Sequence, residues 1–136
     1  MVTPGLLAYP IEIEFPDIRP YQAGNTGVDY VRRFESGRPG PDVMVNALSH
    51  GNEVSGAIAV MTLLDGGIRP RRGSLTWSFA NVEAYARFDP AQPDASRFVD
   101  EDFNRVWSEA KLEGGVGTSE LCECGHEIRG SDVHVP

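Results

Sequence analysis

The chain has 136 residues, and 20 acidic against 12 basic side chains leave a formal charge of −8. That balance opposes binding to nucleic acid and attraction to anionic membranes, so any anion site must be a local feature. The length suits one domain, 1–136, with a core of useful size but little room for a deep catalytic pocket.

Residues 1–20 contain Pro4, Pro10, Glu12, Glu14, Pro16 and Asp17, and no basic start followed by a long apolar run can be drawn there. Ile11-Glu12-Ile13-Glu14-Phe15 alternates apolar and acidic residues with period two, which predicts a half-exposed edge strand ending at Pro16. Pro20 to Gly27 is a connector, and Val28 to Phe34 is expected to form a short helix. Gly37-Arg38-Pro39-Gly40-Pro41 then breaks the chain.

Val43 to Leu48 predicts a buried strand. Glu53 to Leu64 follows with Val54, Ala57, Ile58, Met61 and Leu64 at helical spacing, ended by Gly66-Gly67. The longest apolar stretch, Ala57 to Leu64 broken by Thr62, falls well short of the roughly 20 residues that span a bilayer. Ser74 to Ala80, with Leu75, Trp77 and Phe79 alternating, predicts a strand returning parallel to the first through a right-handed crossover. A site would then lie at the carboxyl ends of the strands.

Beyond Tyr85 the chain is rich in Pro and Asp, and a loop is expected to about Phe103, with polar residues that are functional candidates. Thr118 to Arg129 is expected to be a helix. Cys122 and Cys124 are too close for an unstrained disulfide, which favours a reducing cytoplasm. Cys122-Glu123-Cys124-Gly125-His126 has no second Cys or His pair to complete four metal ligands.

His50-Gly51-Asn52-Glu53, placed where a strand passes into a helix, can aim an imidazole and a carboxylate at one cation, which is half of a zinc site. A surface His beside a helix-capping carboxylate is the plainer reading of these residues in isolation. Asn81-Val82-Glu83-Ala84 follows the next strand, and Arg97-Phe98-Val99-Asp100-Glu101-Asp102-Phe103-Asn104-Arg105 follows that. In this order, over residues 43–107, the segments resemble the succinylglutamate desuccinylase and aspartoacylase family of zinc-carboxypeptidase-like deacylases. There one strand ends in H-G-N-E, the next in N-P-x-A, and a loop carries R-Y/F-x-D-x-D-L/F-N-R. Val82 stands here in place of the family's proline.

The resemblance implies an α/β fold, the N-terminal part of a carboxypeptidase-like domain with a mixed sheet flanked by helices. It implies one Zn2+ per chain held by His50 and Glu53, with Arg97 polarising the scissile carbonyl and Asn81, Asn104 and Arg105 binding a small anionic substrate of the N-acyl amino acid type. Asp100 and Asp102 are expected to orient the arginines, with surface ion pairs to the loop carboxylates as the alternative role for Arg97 and Arg105. Asp132-Val133-His134 imitates the family's D-I/L-H segment, which would make His134 the third ligand.

The family's general-base glutamate has no counterpart in the divergent tail, 114–136, which is therefore expected to be altered or prematurely ended. A hydrolase of amide bonds, impaired in this form, is the expected function. The alternative is a non-catalytic remnant or metal- and anion-binding module of the same fold.

Overall fold

A computed structural model describes residues 12–108, 110 and 111. Within them lies a small α/β unit in which three strands form one mixed sheet: β1 (Val31–Glu35), β2 (Asp42–Ala47) and β3 (Ser74–Phe79), in the order β1-β3-β2. β2 and β3 run parallel, with Val45 opposite Trp77, and β1 runs antiparallel to β3, with Val31 opposite Ser78. Helix α1 (Val54–Asp65) makes the crossover between the parallel pair, and the short helix α2 (Val82–Ala86) follows β3. Single 3-10 turns occupy Arg19–Tyr21, Pro93–Ser96 and Phe103–Arg105.

The alternation in β3 sorts its side chains. Leu75, Trp77 and Phe79 join the apolar core with Val45 and Ala47 of β2 and Phe34 of β1. Ser74, Thr76 and Ser78 point the other way yet are also buried, because β3 is central. The two serine hydroxyls are satisfied locally, Ser78 Oγ donating to Asn46 Oδ1 at 2.8 Å and Ser74 Oγ donating to Asp42.

Against the apolar face α1 buries Val54, Ala57 and Val60, with Met61 and Leu64 partly covered. Ile58, expected in that stripe, is exposed; Val60 takes the place on the core side. Gly67, at φ 69°, turns the chain away after the helix. Among the described residues no helix is long and apolar enough to cross a membrane.

Two expected elements differ. The described part of the amino-terminal alternation, residues 12–15, forms no strand. Phe15 instead stacks on Phe88 and Tyr85, with ring centroids 3.7 and 4.9 Å away, and the Tyr85 hydroxyl donates to the Pro16 carbonyl. Aromatic burial, not strand pairing, anchors this segment. The helix expected over Val28 to Phe34 is replaced by β1, because Tyr30 adopts φ 61° and breaks any helical run just before Val31. The helix expected over Thr118 to Arg129 and the Cys122 to His126 segment lie outside the described residues.

Candidate metal and anion site

The carboxyl ends of the parallel strands carry the chemistry-bearing segments. β2 ends at Ala47, and Leu48 then takes φ 62°, an unusual conformation for a branched residue that redirects the chain into Ser49-His50. The turn is locked by Gly51, whose N–H donates to the Arg97 carbonyl at 3.0 Å. A β-carbon on Gly51 would overlap the Ser96 carbonyl and the backbone of Ala84 and Tyr85, so only glycine lets the β2 turn, α2 and the following loop close together.

His50, only 3% exposed, is the centre of the arrangement. Its Nδ1 lies 2.8 Å from Glu53 Oε1, three residues on. Its Nε2 lies 3.1 Å from Asp102 Oδ1, and Asn104 Nδ2 approaches the same nitrogen at a longer 3.4 Å. A neutral imidazole has one N–H to donate, yet a carboxylate oxygen faces each ring nitrogen. One contact therefore requires a second proton or a cation between its partners.

Asp102 is the better acceptor for a ring N–H. It caps the Phe103–Arg105 turn by accepting from the Asn104 backbone N–H at 2.9 Å, and its second oxygen accepts from Arg97 Nε at 3.4 Å. The Asn104 N–H first, then the His50 ring and Arg97, hold the Asp102 carboxyl at about 2, below the ordinary carboxylate range. Glu53, with its side chain 48% exposed, is left on the open side at Nδ1. An Nε2–H bonded to Asp102 leaves Nδ1 as a lone-pair donor beside Glu53, the pairing that metal-binding histidines use.

Two zinc donors at bond lengths of ~2.0–2.1 Å and a tetrahedral angle stand roughly 3.3 Å apart. The 2.8 Å separation of His50 Nδ1 and Glu53 Oε1 is near that value and fits such a cation after a small opening of the pair. Asp102 cannot be the third ligand, because it sits on the opposite edge of the ring. Among the described residues no group of three or more His, Cys, Asp or Glu side chains could hold a metal ion. His134, expected to complete the set, lies outside the described residues.

The other expected residues distribute unevenly. Arg97 and Asn104 are gathered at His50 through Asp102, whereas Arg105 is exposed, tied in by its backbone N–H to the Asp102 carbonyl at 2.8 Å. Asn81, fully buried, follows β3 and bonds the same β2 turn through its N–H to the Leu48 carbonyl at 3.0 Å. Neither of its side-chain amide atoms has a hydrogen-bond partner among the described residues, an arrangement that normally demands a water or ligand group. Asp102, expected to orient the arginines, does accept from Arg97, and beyond that it caps the turn at the Asn104 N–H and faces the imidazole. The sequence signal for this was its spacing two residues before Asn104, which suits a carboxylate-capped turn and so fixes the carboxylate's direction.

No family model matches the chain, and no curated protein or solved structure matches it.

Proposed function

We propose that this chain carries the first half of a zinc-dependent deacylase site of the succinylglutamate desuccinylase and aspartoacylase type, on the N-terminal part of a carboxypeptidase-like domain. Its reaction would be hydrolysis of the amide bond of an N-acyl amino acid or a similar small anionic substrate. The observation that carries this reading is His50 held between two carboxylates, one buttressing Nε2 and one sharing the open side of Nδ1. A structural histidine needs one acceptor; a ligand histidine uses one nitrogen for a carboxylate and the other for the metal.

Zinc bound by His50 and Glu53 would supply a Lewis acid able to polarise a carbonyl and lower the pKa of bound water. Arg97, partly exposed and only loosely held by Asp102, has planar donors to offer a substrate carbonyl or carboxylate. Asn104 and Arg105 stand on the same turn, where a second anionic group of the substrate would be recognised. The buried Asn81 amide adds donor and acceptor atoms that lack partners among the described residues.

Zinc titration of the full chain after chelation tests the site. One zinc per chain, lost in His50→Ala and in Glu53→Ala, is the expected result; unchanged zinc content in both variants would refute it. The two-donor set also supports a second reading, a metal- and anion-binding module that turns nothing over. Zinc-dependent hydrolysis of N-acetyl and N-succinyl amino acids separates the two, since turnover excludes the module.

A further inference from the structure

On the far side of α2 from the His50 turn lies a cavity of about 380 Å³. The two sites share the helix but not its faces: the backbone of Ala84 and Tyr85 abuts Gly51, whereas Val82, Glu83 and Ala86 line the cavity. Its floor is apolar, made by Val28, Val31 and Phe79 together with Val82 and Ala86. Among the described residues no basic side chain lines it, while Asp29 and Glu83 both do.

The walls are set by the fold and not by chance packing of loose chain. Tyr30, held at φ 61°, turns its ring edge-on to Phe79 with centroids 6.4 Å apart, and its carbonyl accepts from the Phe79 N–H at 3.2 Å. A bulky residue in the left-handed region persists only where its surroundings over-determine it. Asp29 accepts from Gln22 Nε2 at 3.0 Å and is paired with no cation among the described residues. Glu83 does pair with Arg87, at 2.5 Å on the exposed side of α2.

We infer that this cavity is a second binding site, distinct from the His50 centre, for a small organic cation: an apolar body seated on Val31 and Phe79 with an ammonium group directed at Asp29. The size falls within the range of small-molecule pockets, and the preference for a cation follows from Asp29, the rim carboxylate that Arg87 does not offset, on a chain of net charge −8. An anion of the same shape is repelled by Asp29, and a neutral isostere gains only the apolar contact.

Three isosteric probes test this on the full chain by amide NMR at pH 7: cyclohexylmethylammonium, cyclohexylmethanol and cyclohexanecarboxylate. The ammonium probe is expected to shift the amides of Tyr30, Val31, Ala80 and Val82 saturably and about fivefold more tightly than the alcohol, with the carboxylate weakest. Added salt narrows that margin. Asp29→Asn, an exposed isosteric change, removes most of the margin and leaves alcohol binding as it was. Ala86→Trp, at another exposed position, blocks all three probes. Absence of saturable shifts at these residues, any other ranking, or an unchanged margin in Asp29→Asn overturns the proposal. None of these readouts involves zinc, so the outcome is independent of the deacylase reading.

Discussion

Asp102 Oδ1 lies 3.1 Å from His50 Nε2, although 52 residues separate the two in sequence. The bond ties the Phe103–Arg105 turn to the end of β2, and the same carboxylate also accepts from the Asn104 N–H and from Arg97. One acidic side chain thus sets the orientation of the imidazole and collects the loop's polar groups around it.

Replacing Asp102 by Asn keeps a capping oxygen but removes the charge that fixes the Nε2–H tautomer. Zinc affinity is expected to fall by about 10- to 100-fold. Competition against a chelating dye measures it, and an affinity equal to wild type would show that Asp102 does not act through His50.

Gly51→Ala is expected to be strongly destabilising, by about 2–4 kcal/mol, because its β-carbon overlaps backbone atoms from two other segments that cannot move independently. Urea denaturation of the variant beside wild type reads the difference. A loss under about 0.5 kcal/mol would mean that α2 and the β2 turn slide apart freely.

Alkaline pH should destabilise the protein through two tyrosines. Burial first, then the hydrogen bond to Asp65 at 2.5 Å, pushes the Tyr21 hydroxyl up to about 12, and burial likewise raises Tyr85 to about 12. The folded state therefore holds these protons more tightly than the unfolded chain, where tyrosine titrates near 10. Their contribution is complete below pH ~10 and is lost as pH rises from ~10 towards 12. Tyr21→Phe should flatten the fall in stability across that window; a slope identical to wild type would discount the Tyr21 contribution.

Phe15→Ala removes the ring stacked on Phe88 and Tyr85. A cost of about 1–3 kcal/mol is expected, below that of a fully buried phenylalanine because Phe15 is only half-buried. Thermal unfolding gives the value. Faster proteolysis around residues 12–18, before any global transition, would show the same anchoring from the other side, and neither effect would mean the stack contributes nothing.

Residues 42–79 were the legible part of the fold. Val43, Val45 and Ala47, then Val54, Ala57, Met61 and Leu64, then Leu75, Trp77 and Phe79 follow strand, helix and strand periods, and all but Val43 join one core. Ile58 of the expected helix stripe is exposed, and β2, expected to be buried, lies at the sheet edge with Asp42, Val43 and Asn46 exposed. The segment before them was not legible, because Val28, Val31 and Phe34 at spacings of three imitate a helix face. Pairing with β3 and the backbone of Tyr30 make it a strand instead, and neither is visible locally. At the amino terminus residues 12–15 alternate as expected, but among the described residues they use no strand partner and the aromatic ring finds a better burial elsewhere.

By itself the sequence determined the parallel strand pair around α1, and with it the placing of His50 and Asn81 at adjacent carboxyl ends, because a period of side chains along one segment dictates which face is buried. Tertiary structure alone decided which carboxylate meets which ring nitrogen. Asp100 and Asp102 are the same residue type two positions apart, and only the cap that Asp102 forms on the Asn104 N–H carries it to Nε2 while Glu53 remains at Nδ1. Contacts between distant segments depend on directions in space, which spacing along the chain does not encode.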